Sequence, residues 1–184
     1  EIARAGRLIA SATTEAGIGG NVRSSICAVE YDGETISLRK QASVISYGAY
    51  VDDILVTARR DPDAAASDQV IVHVQRPNLT LDNQIDEWDT LGMRGTCSPG
   101  FTVHASFAAE QVLGAPFATV MTESMVPVSH ILWSHVWLGI ATHPFERGRA
   151  PVRAASPPNP GHPRPPDPTP PPLRRRPGPP RAGA

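Results

Sequence analysis

Apolar and polar residues alternate with a period of two over much of the first 112 residues. Residues 8–12 form a short apolar run. Further on, Cys27, Val29 and Tyr31 alternate with Ala28 and Glu30, and beyond Asp32-Gly33 the pair Ile36 and Leu38 alternates with Ser37 and Arg39. Asp-Gly between two alternating runs predicts a hairpin closed by a tight turn. More short, β-branched runs lie at 43–46, 54–58, 70–74, 79–81 and 102–107, with turn residues between them. No helical period interrupts residues 23–112, so the pattern predicts an all-β sandwich or barrel.

The pattern changes at Pro116. Over residues 127–142 the apolar positions Val128, Ile131, Leu132, Val136, Gly139 and Ile140 follow helical spacing, with Pro127 suited to a first turn. Trp133, Trp137 and Leu138 make the other faces apolar too, so this helix calls for partners on several sides. Pro144 predicts its end. From there onward lie 15 of the 20 prolines, and Val152 and Leu173 are nearly the last large aliphatic residues. Such a segment cannot offset its ordering entropy, which predicts a disordered Pro/Arg-rich tail with polyproline II around 170–172. The expected organisation is a β-domain over 1–115, the start of a helical domain over 116–143, and the tail over 144–184. The abruptness of the break suggests a frameshifted or otherwise aberrant read after about residue 143.

Composition narrows the function classes. A net charge of −1 speaks for neither a nucleic acid nor an anionic membrane as partner. No apolar run reaches the length needed to span a bilayer and no signal-peptide hydrophobic region opens the chain, so a cytoplasmic location is expected. Cys27 and Cys97 are too few for a disulfide framework and too far apart for a metal motif, and are read as buried small apolar residues.

Candidate chemistry is sparse. His130 and His135, five apart, do not share the helix face that a metal pair needs. Asp82, Asp86, Glu87 and Asp89 flank Trp88 and read as a solvated acidic loop. Arg174-Arg175-Arg176 offers a basic run within the tail. Two segments look more specific. TTEAGIGGNV, residues 13–22, sets two hydroxyls and a carboxylate against three glycines, which allow unusual backbone angles and close approach of a ligand. WDTLGMRGTCSPGF, residues 88–101, makes a tight connection before a strand and could aim Arg94 or Thr96 at a ligand.

Taken in order, these motifs resemble the middle domain of the acyl-CoA dehydrogenase family. The family's Thr-Glu-(Pro/Ala)-Gly-x-Gly-Ser-Asp loop is matched by Thr14-Glu15-Ala16-Gly17-Ile18-Gly19-Gly20-Asn21. Its Gly-x-Lys-x-(aromatic)-Ile-(Thr/Ser)-Asn stretch is matched by Lys40 followed by Val44-Ile45-Ser46-Tyr47-Gly48, its Leu-Gly-x-Arg-Gly-Thr segment by residues 91–96, and a Gly-x-Ala helix by Gly139-Ile140-Ala141. The likeness extends over roughly residues 6–142. Gly20 and Asn21 depart from the family's Ser-Asp, and Val44 stands where an aromatic residue often packs on the flavin.

The resemblance implies FAD as cofactor, with Ser11, Thr14 and Ser46 at flavin-contacting positions. It implies a parent enzyme that oxidises an acyl-CoA thioester at its α,β carbons, passes electrons to an electron-transferring flavoprotein and forms a homo-oligomer. The family's glutamate base comes from a later helical domain whose pattern is not matched, so no catalytic residue is assigned and this chain alone is expected to be inactive. The alternatives are a flavin monooxygenase of the same fold and a non-catalytic β-domain with a Pro/Arg-rich interaction tail.

Overall fold

The computed structural model describes residues 4–85 and 87–155. The expected features of the tail beyond 155, including the polyproline stretch and Arg174-Arg175-Arg176, lie outside the described residues, as does Asp86. The chain divides into two compact units, Glu1–Ser134 and His135–Ala184.

Among the described residues of the first unit, seven strands form two sheets. β1 (Ile9–Ala12), β4 (Asp53–Arg59) and β5 (Gln69–Gln75) make one, in the order β1-β4-β5; β2 (Val29–Asp32), β3 (Thr35–Ala42), β7 (Gly100–Phe107) and β6 (Leu79–Ile85) make the other, in the order β2-β3-β7-β6. β1 runs parallel to β4, with Ile9 opposite Asp53, and the remaining pairs are antiparallel. The predicted hairpin is β2–β3, turning at Gly33 (φ 61°). Period-two alternation places Ala10, Ala12, Ile54, Val56, Val72 and Val74 of the first sheet in one buried cluster with Val29, Leu38, Val103 and Ala105 of the second. This is a sandwich; the two sheets do not close into a barrel.

The strand expected at 43–46 does not form. β3 ends at Ala42, and the chain then turns through a 3₁₀ segment at Gly48–Tyr50. The backbone groups that a ladder would have used go elsewhere: Val44 N–H donates to the Thr14 hydroxyl (3.2 Å) and Ile45 N–H to the Pro99 carbonyl (3.1 Å). Gly100 explains the tight crossing here, because a Cβ at that position would lie 2.7 Å from both the Ala42 and Ser43 carbonyl oxygens.

The outer face of the β1-β4-β5 sheet is covered by the start of the helical segment, where Phe117 and Met121 pack with Ile71 and half-buried Leu55. A short helix α1 (Phe117–Val120) passes through a π-turn (Met121–Met125) into α2 (Val126–Ala155). The π-turn sits where Pro127 cannot donate to the carbonyl four residues back and its ring crowds that group, and a wider turn relieves the conflict. The predicted stop at Pro144 is overturned: α2 carries both Pro144 and Pro151 inside it. Each proline removes one backbone bond; Ala150 and Ala154 around Pro151 favour helix, and Arg149 lies over the Phe145 ring one turn away, 6.0 Å from its centroid. Along α2, Leu132, Trp137, Leu138 and Ile140 are each more than three-fifths exposed. Among the described residues no helix is long and apolar enough to cross a membrane.

Candidate functional site

Three segments of the first unit converge on one rim. The glycine loop after β1 supplies Thr14, the turn after β3 supplies Val44, Ser46 and Tyr47, and the connection before β7 supplies residues 93–98. The loop's left-handed angles at Gly17 (93°), Gly19 (59°) and Gly20 (81°) answer why it is so poor in side chains: a Cβ would be strained at all three. Asn21, the departure from the resembled motif, uses its side-chain carbonyl to accept from Arg23 N–H at 3.1 Å and so closes the loop.

Thr14 is held reciprocally. Its hydroxyl donates to the Val44 carbonyl at 3.0 Å and accepts from Val44 N–H at 3.2 Å, like one rung of a ladder made by a side chain. Tyr47 N–H donates to the Thr96 carbonyl (3.0 Å) and reaches the Cys97 carbonyl (3.2 Å), which ties the second segment to the third. The buried Ser98 hydroxyl lies 2.9 Å from Ser46 Oγ, 2.8 Å from Thr96 Oγ1 and 3.1 Å from the Thr96 carbonyl, so it links the second and third segments. Ser46 and Ser11 are both exposed, so Thr14 and Ser46 stand on one rim, with Ser11 on β1 three residues before Thr14.

Backbone strain gathers at the same place. Among the described residues the non-glycine positions with positive φ are Tyr47 (58°), Met93 (52°) and Cys97 (41°), and all three belong to the converging segments. Left-handed angles cost such residues on the order of 1–3 kcal/mol each and tend to cluster where a ligand is held. Arg94 and Thr96 are engaged within their own loop: Arg94 Nε lies 3.5 Å from Asp89, and the Thr96 hydroxyl donates to the Met93 carbonyl at 2.9 Å.

Beneath the rim is a buried polar cluster that the sequence did not reveal. Glu15 turns inward from the residue next to Thr14, and its carboxylate accepts from Ser25 Oγ (2.8 Å), Ile26 N–H (3.0 Å) and Cys27 N–H (2.7 Å). Lys40, fully buried on β3, lies 3.7 Å from that carboxylate and donates to Thr57 on β4 through both its carbonyl (2.7 Å) and its hydroxyl (3.0 Å). Burial pushes the Lys40 ammonium below its ordinary range, and Glu15 opposes that shift. Burial likewise pushes the Cys27 thiol up to about 12. Of the two cysteines read as buried, Cys27 is; Cys97 is exposed on the rim loop.

Elsewhere, the His130 ring accompanies its own helix, with Nδ1 2.9 Å from the Val126 carbonyl. Asp82 faces His104 across β6 and β7, at 3.8 Å. Asp53, fully buried at the start of β4, takes two contacts of 2.6 Å from the Arg7 guanidinium, which holds its carboxyl below the usual range.

No protein-family profile matches the sequence, and no curated protein does. Solved structures do share its fold. The acyl-CoA dehydrogenase of Geobacillus kaustophilus superposes with a TM-score of 0.51 at 23% identity, over 62% of this chain and 31% of that one. A probable acyl-CoA dehydrogenase of Mycobacterium abscessus gives 0.50 at 17% identity, over 64% and 32%. Glutaryl-CoA dehydrogenase of Mycobacterium smegmatis gives 0.50 at 19% identity, over 62% and 28%. The chain thus spans less than a third of the length of each. Its two sheets and the helix that follows have the fold of an acyl-CoA dehydrogenase middle domain.

Proposed function

We propose that this chain is the flavin-side wall of an FAD-dependent acyl-CoA dehydrogenase. The observation that carries the reading is the rim itself, where Thr14, Val44 and Ser46 are brought together by three segments that hold every left-handed non-glycine residue among those described. The donor set suits the edge of an isoalloxazine ring, which carries several acceptors and one N–H. Ser46 is exposed, and its hydroxyl can turn its proton from Ser98 Oγ to a ring acceptor. Thr14 spends its proton on Val44 and retains a lone pair that suits the ring N–H. Val44, 38% exposed, offers apolar contact to a flat ring.

Bound there, the flavin supplies the hydride acceptor for conversion of an acyl-CoA thioester to its 2-enoyl product. The rim's own contribution is orientation and fixed dipoles, set before the ring arrives and therefore without reorganisation cost. A base on the opposite face of the substrate is also required. The rim supplies none, so the parent enzyme would have to provide it, along with the contacts to an electron-transferring flavoprotein and to further copies of itself.

The test is a titration of the full chain with FAD, followed by flavin fluorescence. Saturable binding is expected, weakened about tenfold by Ser46→Ala, the equivalent of one hydrogen bond worth about 1.4 kcal/mol. Absence of saturable binding up to about 1 mM FAD, a free energy of only about −4 kcal/mol, would sink the reading. Acyl-CoA-dependent bleaching by this chain alone would show that it carries a base, contrary to the role proposed.

A further inference from the structure

We propose that Glu15 and Lys40 are positioning residues: a buried pair that fixes the Thr14–Val44 rung and, resting on the flavin reading above, thereby sets how tightly the rim holds its ligand. Thr14 and Glu15 are neighbours whose side chains go opposite ways, one to the rim and one inward. The inward carboxylate collects three donors from 25–27, while Ala16 N–H donates to the Gln41 carbonyl at 2.9 Å. Lys40 joins this knot to β4 through Thr57. The backbone at Thr14 is therefore held from below, on both sheets, without Glu15 or Lys40 reaching the rim.

The pair is costly to bury and is not needed to fill space, since a methionine or leucine would fill it as well. What an apolar pair could not do is aim three donors at a single point one residue from Thr14. A carboxylate offers several lone-pair directions at once, so one side chain can gather Ser25, Ile26 and Cys27. The lysine supplies the compensating charge and the link to β4.

Two readouts on the full chain test this: amide hydrogen exchange, and FAD affinity in a double-mutant cycle. Glu15→Gln is expected to raise exchange at Ala16, Ile26, Cys27 and Val44 at least tenfold more than in the centres of β4 and β5, which register only the overall loss of stability. Thr14→Val and Glu15→Gln should each weaken FAD binding, and the double variant should be no weaker than Thr14→Val alone, because Glu15 acts through Thr14. Additive losses would overturn the proposal, as would unchanged exchange at Val44. A merely structural Glu15 would lower affinity equally on both backgrounds. Should Glu15→Gln unfold the chain, Ser25→Ala removes a single donor and should give a smaller loosening of the same amides; no loosening there refutes the proposal. If the unmodified chain binds no FAD, the flavin reading fails, and the exchange pattern still decides whether the pair fixes the rung.

Discussion

Replacing Lys40 by methionine isolates what the buried charge is worth to the fold. At 3.7 Å from Glu15, and with an effective dielectric constant of about 20, the attraction is about 4.5 kcal/mol. Desolvation of both groups offsets much of this in the intact pair, but a single replacement keeps the buried carboxylate while removing its cation. Losses of about 3–5 kcal/mol are typical of such a break. The three donors from Ser25, Ile26 and Cys27 remain, which places Lys40→Met at the low end, about 3 kcal/mol. In urea, with a slope of about 2 kcal/mol per molar, the midpoint should fall by about 1.5 M. The double variant Lys40→Met/Glu15→Gln leaves no uncompensated charge and should recover at least half of that loss. A fall of less than about 0.3 M for the single variant, or a double variant as unstable as the two losses added, would refute the account of the pair.

Three further outcomes are expected. Because Arg7 holds the Asp53 carboxyl low, its contribution is present above the unfolded value near 3.9 and disappears as pH falls through the lower folded value; Asp53→Asn should flatten the acid limb of stability against pH, and an unchanged limb would count against the pairing. The Cys27 thiol, raised to about 12, keeps its proton where the unfolded chain loses it, so its contribution is present below about 8.5 and is lost on the way up to 12. Ellman's reagent at pH 8 should accordingly label one thiol, Cys97, in the folded chain and two in denaturant. On α2, the exposed Leu132, Trp137 and Ile140 should drive self-association, and Leu132→Gln with Trp137→Glu should shift light-scattering mass toward the monomer; unchanged mass would show that these side chains do not drive it.

Strands were legible because alternation reports burial directly: Val29, Leu38, Ile54, Val56 and Val103 all face the core that their period predicted. The hairpin was legible because Asp-Gly leaves few other options. Residues 43–46 were misread because their β-branched content suits a strand equally well, and only the distant Thr14 hydroxyl and Pro99 carbonyl take the bonds that a ladder would need. Pro144 was read as a stop because a proline's local cost is visible in sequence, whereas the support of flanking residues such as Phe145 and Arg149 is not. At the rim, Ser11, Thr14 and Ser46 were singled out by motif order, but Ser98 carries no motif and its part depends on a contact across 52 positions. The partnership of Glu15 with Lys40 was hidden for a similar reason: the period that turns Leu38 inward puts Lys40 on the same face, but nothing local names Glu15, 25 positions earlier, as its counter-charge.

The register of β3 against β7 has a kinetic consequence. Ile36 pairs with Phe107, about 70 residues later, and β1 waits about 40 residues for β4. Closing such long loops costs entropy before any contact repays it, so refolding should be slow for a chain of this size. The turn at 44–46 follows β3 and the connection at 96–98 precedes β7, so neither can settle until those two strands have met. During synthesis a chain cannot assemble the rim before Phe107 has emerged, so the rim's formation reports that β3 and β7 have paired rather than guiding them together.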